Sequence, residues 1–147
     1  MEINFFETSN EFDQRAVKGG IYHVELLKKD GGMNPISLYI GESVWIASRC
    51  GQHLYSFFEN PQYFGLNSEN LKDESLILKF SVLDTIDKKK SVLGTGSYKQ
   101  KELEYIQKEK PLTQLETSDR QIKSNEDKLR RVQEEMVKRG FISKRLL

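Results

Sequence analysis

The first clear pattern along the chain is the weak alternation of Ile21-Tyr22-His23-Val24-Glu25-Leu26-Leu27, which is rich in β-formers and reads as a strand. Lys28 to Pro35 follows as a turn region, with Asp-Gly, Gly-Gly and Asn-Pro signals. Ser37-Leu38-Tyr39-Ile40-Gly41 gives a second strand, and the pair is most simply a hairpin. From Val44 to Phe58 the period becomes helical, with apolar residues at Ile46, Cys50, Leu54 and Phe57 and Ser43 in the N-cap position. Asn60-Pro61 stops that helix, and residues 59–73 read as a polar and aromatic loop. Ser75 to Leu83 is the clearest strand in the chain. After the breaks at Asp87-Lys88-Lys89-Lys90 and Gly94-Thr95-Gly96, a short helix is expected from Ser97 through about Lys108, ended by Pro111. A final amphipathic helix should run from Asn125 to Arg139, with Leu129, Val132 and Met136 on one stripe and Gly140 as its stop.

This order predicts an α+β fold on a small, antiparallel sheet flanked by helices. At 147 residues the chain holds one compact domain. Residues 1–18 are expected to be an N-terminal lead-in, tied down by Phe5, Phe6 and Phe12. Residues 19–115 form the main body. Residues 116–147 are a linker and a basic amphipathic helix packed on the same domain.

Composition narrows the function classes. No apolar run is long enough to cross a bilayer, and Met1 to Glu7 lacks the basic start of a signal peptide, so a cytoplasmic protein with no membrane partner is expected. The single cysteine, Cys50, excludes an intramolecular disulfide, and with only His23 and His53 it disfavours a structural zinc site. A net charge of +1 neither supports nor excludes nucleic acid. Nine Lys and Arg against five Asp and Glu lie between Asp119 and Leu147, which leaves the rest slightly acidic.

Tyr22 and Tyr39 fall on neighbouring strands, where an antiparallel pairing can place both hydroxyls over one patch of sheet. A strand tyrosine taken alone is most often an amphipathic core residue. Arg49 and His53 are spaced i, i+4 and project from one helical face, at the rim beside the tyrosines. A guanidinium there can grip a phosphate through paired hydrogen bonds. Glu102, Glu104 and Glu109 are each candidates for a carboxylate anchoring Mg²⁺, which keeps much of its hydration. Spacing alone does not choose among them.

Gly20-Ile21-Tyr22 and Tyr39-Ile40-Gly41, followed by Arg49 eight residues after Gly41 and His53 four residues later, resemble the GIY-YIG nuclease family, and small restriction-type members in particular. The family's helical Glu-x-x-x-Ile segment and its following proline match Glu102, Ile106 and Pro111, which selects Glu102 over its neighbours. Gln114 stands where an asparagine is usual, twelve residues after the glutamate. The resemblance covers about residues 19 to 115. It implies a central three-stranded antiparallel sheet and hydrolysis of DNA phosphodiester bonds. It further implies one Mg²⁺ (with Mn²⁺ as a substitute) held by Glu102. Arg49 would stabilise charge on the scissile phosphate. A tyrosine, Tyr22 ahead of Tyr39, would help to activate water, with Tyr39 or His53 positioning or assisting, and Gln114 would support the site. Sequence specificity would come from loops, a homodimer or a partner subunit.

The competing reading is a nucleic-acid-binding or assembly subunit that keeps the fold without efficient cleavage. Gln114 and the near-neutral charge motivate it. Lys88-Lys89-Lys90 reads as a solvated loop. Gly94-Thr95-Gly96-Ser97 lacks the Lys-Ser/Thr ending of a phosphate loop. The aromatic group Tyr55, Phe57, Phe58, Tyr63 and Phe64 reads as core and loop packing.

Overall fold

The computed structural model describes residues 1–85, 96–115 and 118–144; the Lys88-Lys89-Lys90 run and Gly94-Thr95 lie outside the described residues. In chain order the elements are β1 Glu2–Phe5, β2 Glu7–Thr8, β3 Glu11–Phe12, β4 Gly20–Lys28, β5 Ile36–Ser43, α1 Ile46–Glu59, α2 Ser68–Lys72, β6 Leu76–Thr85, α3 Gly96–Glu109 and α4 Asn125–Lys138. Two 3₁₀ turns, Gln14–Val17 and Pro61–Phe64, complete them. The fold is α+β, as the pattern predicts.

The sheet departs from the expectation in one respect. It has four strands in the order β1-β6-β4-β5, with β4 antiparallel to both β5 and β6. The fourth strand is the supposed lead-in: β1 runs parallel to β6, pairing Ile3 with Leu78 and Phe5 with Phe80. Phe6 then turns inward with φ 58°, is fully buried, and stacks edge-on against Phe5 at 4.8 Å between ring centres. Burying an aromatic ring offsets the strain of a left-handed residue.

Side chains alternate across the sheet, so each strand serves two layers. On one face Tyr22, Val24 and Leu26 of β4, Leu78, Phe80 and Val82 of β6 and, through the register shift between Val24 and Glu25, the consecutive Leu38 and Tyr39 of β5 form the main core. Ile46, Cys50 and Phe57 of α1 and Val132 and Met136 of α4 pack against them. On the other face a smaller cluster, Ile21, Ile40 and Ile106, seats α3.

Three local expectations are corrected. Ser43 does not cap α1: Trp45 holds the N-cap position without a side-chain bond, while Ser43 Oγ bonds the Trp45 backbone. Residues 59–73 are not simply loop, because Asn60 caps a 3₁₀ turn and Asn67 and Asn70 make a capping box that opens α2. On α4 the buried stripe is Lys128, Val132, Gln133 and Met136, with Leu129 only half-buried. The lysine is tolerated because its ammonium lies 4.9 Å from the centre of the Tyr63 ring. Gln133 Nε2 bonds Gly65 O at 3.1 Å and Asn70 Oδ1 at 2.7 Å, which docks α4 onto the segment after α1. Among the described residues no helix is long and apolar enough to cross a membrane.

Candidate active site

The two glycine–tyrosine tripeptides meet by register. Tyr22 of β4 stands opposite Gly41 of β5, and Val24 stands opposite Tyr39, so both tyrosines share a face. Gly41 must be glycine for this to happen. A β-carbon there would sit 2.5 Å from the Tyr22 hydroxyl and 2.9 Å from Tyr39 Cε1. Gly20 is constrained in the same way, since its β-carbon would lie 2.1 Å from the Asp84 carbonyl oxygen, beside the irregular pairing of β4 with β6. Gly41 clears the space into which the Tyr22 ring lies, and Gly20 lets β4 approach the β6 backbone closely.

His53 closes this group from α1. Its Nε2 lies 2.7 Å from the Tyr22 hydroxyl and its Nδ1 2.6 Å from the Tyr63 hydroxyl. Its ring stacks against Tyr39 at 4.9 Å between centres. The expected position at the rim is therefore corrected: His53 is buried, 1% exposed, because α1 rotates it inward beside the Cys50–Phe57 stripe. Burial first, and the Arg49 charge second, push its pKa down to about 3. A neutral imidazole donates from one ring nitrogen and accepts at the other. Tyr22, His53 and Tyr63 thus form a continuous hydrogen-bonded chain. Tyr63, read from the sequence only as loop packing, is the unforeseen member, and no local signal marks it.

Burial pushes the Tyr22 hydroxyl far above its ordinary range, with Tyr39 adding to the effect. Burial likewise pushes Tyr39 up to about 12, against the pull of the Arg49 charge. Arg49 itself is exposed on α1, with Nη1 bonded to Gln52 Oε1 at 3.1 Å. Its positive field acts on Tyr22, Tyr39, His53 and Tyr63 together. The guanidinium overlooks the aromatic group from solvent, where a phosphate can reach it.

The carboxylate side is built by α3. Glu102 and Ile106 share its buried face, whereas Leu103 is only half-buried. Glu102 is 1% exposed, and burial raises its pKa to about 7 despite a bond from Lys99. Its charge also acts on Tyr39, which links the two sides electrostatically. Lys99 Nζ donates to Glu102 Oε1 at 3.1 Å and to Asp119 Oδ2, and lies 3.9 Å from Glu42 Oε1. Among the described residues no group of three His, Cys, Asp or Glu side chains is gathered tightly enough to hold a metal ion. An ammonium stands among the carboxylates. Their oxygens nonetheless suit a hard cation such as Mg²⁺, and Glu42 Oε2 is buried with no hydrogen-bond partner. Of these, the buried Glu102, with water completing the shell, is the donor offered to such an ion, and Lys99 bonds it here.

Gln114 lies at the edge of the sheet, not among the charged groups. Its Nε2 donates to Ile40 O at 2.6 Å, and its Oε1 accepts from Ile40 N at 2.9 Å. With Leu112 N and Thr113 N bonded to Ser37 O and Leu38 O, this segment covers the free edge of β5. The amide clamps the Tyr-Ile-Gly strand in place, and the glutamine's length serves that reach.

No family model, curated protein or solved structure matches this chain. The geometry of the site therefore carries the functional argument.

Proposed function

We propose that this chain is a Mg²⁺-dependent endonuclease that hydrolyses DNA phosphodiester bonds, with Mn²⁺ able to replace Mg²⁺. The observation that carries this reading is the Tyr22–His53–Tyr63 hydrogen-bonded chain, overlooked by an exposed Arg49 and coupled through Tyr39 to a buried Glu102.

In this mechanism Arg49 draws the scissile phosphate against the aromatic group with charge-assisted hydrogen bonds. A water at Tyr22 gives its proton to the phenolic oxygen as the Tyr22 proton passes to His53 Nε2, while Nδ1–H is held by the Tyr63 hydroxyl. The imidazolium formed is penalised by burial in the free protein. The phosphate anion at Arg49 supplies the opposing charge. Glu102 would hold the divalent ion, which when bound supplies Lewis-acid charge to the phosphate and the departing oxygen. Tyr39, on which the charges of both Arg49 and Glu102 act, orients the reacting groups. Gln114 acts only through the strand that it clamps.

The partner is DNA, with specificity supplied by a homodimer or a second subunit, and the setting is the cytoplasm. Incubating supercoiled plasmid with the protein and Mg²⁺, with EDTA as control, tests the reaction. Nicking or linearisation that EDTA abolishes is expected. Retarded but uncut plasmid would instead identify a binding or assembly subunit.

A further inference from the structure

Three aromatic rings carried by α1 and its N-cap face water instead of the core. Trp45 is 55% exposed, and Tyr55 and Phe58, read from the sequence as packing, are 68% and 58% exposed. Trp45, Arg49, Gln52 and Tyr55 follow one another at helical spacing, which sets them in one row along the outer face, and Phe58 comes one turn beyond. The helical rise puts Trp45 and Tyr55 about 15 Å apart, with Arg49 between them. Between Glu42 and Glu59 Arg49 is the single charged side chain, since burial keeps His53 neutral. Its guanidinium bonds the neutral Gln52. Lys18, also exposed, is fixed beside the first turn of α1 by the 3.0 Å bond from Ile46 N to its carbonyl oxygen. Apolar rings and positive charge thus share one surface.

We propose that this face stacks the unpaired bases of a DNA strand whose phosphate Arg49 holds, so that the substrate is DNA carrying a single-stranded segment. The inference rests on Arg49 gripping the scissile phosphate in the reading above. A ring can stack only on a base whose face is free, and within a duplex the neighbouring bases cover both faces. A surface made for the duplex backbone gathers Lys and Arg along it; here two cations accompany three rings. A protein partner would also bury Trp, Tyr and Arg, but positive charge beside the proposed phosphate grip favours a polyanion.

Trp45 is the single tryptophan of the chain, so its fluorescence reports this face directly. With EDTA present to prevent cutting, an oligothymidylate of about twelve nucleotides should quench that emission saturably, and a blunt duplex of the same length should bind about five-fold more weakly or worse. Anisotropy of the labelled oligothymidylate should show Trp45→Ala and Tyr55→Ala each weakening binding about five-fold or more, with Trp45→Phe restoring most of it. Far-UV circular dichroism should be unchanged in each variant, because these rings are exposed. Emission unmoved across the oligothymidylate titration, equal affinity for the duplex, or unchanged binding in either alanine variant overturns the proposal. Emission that changes with protein concentration alone identifies a second copy as the occupant and overturns it too. Quenching by oligothymidylate in a protein that cuts no DNA would keep the base-stacking face and discard the nuclease. Mg²⁺-dependent nicking with Trp45 emission unmoved would do the reverse.

Discussion

Tyr22 and Glu102 are equally buried, each 1% exposed, yet their surroundings are opposite in kind. Tyr22 sits among neutral rings and is held by His53, which Tyr63 holds in turn. Glu102 sits among ions, with Lys99, Asp119 and Glu42 around it. The aromatic side is part of the main core, so its geometry is fixed by folding. The ionic side is attached through the small Ile21–Ile40–Ile106 cluster and meets its counter-charge in Lys99, whose side chain is 44% exposed. Substitutions on the aromatic side should therefore cost stability and activity together. On the ionic side they should separate the two.

The largest effects are expected where a charge meets the substrate. Arg49→Ala and Glu102→Ala should each lower the cleavage rate by about 10²–10³-fold or more, with far-UV circular dichroism unchanged. Undiminished Mg²⁺-dependent cutting by either variant would remove that residue from the mechanism. Tyr22→Phe comes next, and it should behave as an aromatic-side change. Cleavage should fall steeply, and urea unfolding should show a loss of about 1–3 kcal/mol, because a buried His53 nitrogen loses its partner. Full stability in this variant would show that the hydrogen bond contributes nothing to folding. Gly41→Ala should lose a similar ~1–3 kcal/mol by driving a methyl group into the Tyr22 phenol.

The smallest effect sharpens the contrast best, because it has opposite signs on the two sides. His23 and His53 are held neutral, with pKa values near 4 and 3, mainly by burial. The unfolded chain binds more protons than the native one below about pH 6.5. Stability from these residues is therefore complete above that pH and is lost as pH falls toward 4. Glu102 is raised to about 7, so between about pH 4.5 and 7 the native state binds the extra proton and stability falls as pH rises. Glu102→Gln should accordingly be more stable than wild type at pH 8, by on the order of 1–3 kcal/mol. That advantage should vanish by pH 4.5. Thermal melts across this range decide it, and a Glu102→Gln protein less stable at pH 8 would reverse the assignment of strain to the ionic side.

Much of this was legible in the chain. The strands around Tyr22 and Tyr39, the helix carrying Arg49 and His53, and the break at Asn60-Pro61 follow from periodicity and turn chemistry. What escaped is non-local. β1 pairs across more than seventy residues with β6, and four residues carry little periodicity. The inward turn of His53 depends on which stripe of α1 the sheet accepts. Lys128 reads as a surface residue until Tyr63 is placed beneath its ammonium. Lys99 and Asp119 meet only because Gln114 clamps the chain to Ile40 and brings the following segment back toward α3.

The central claim is that the two sides act on one phosphate. Its most direct test is the rate of plasmid nicking in Mg²⁺ for wild type, Tyr22→Phe, Glu102→Gln and the double variant. Groups that act as a unit are not additive, so the double variant should be no slower than the slower single variant. Losses that multiply in the double variant, or a wild-type protein that leaves the plasmid intact, would contradict the account.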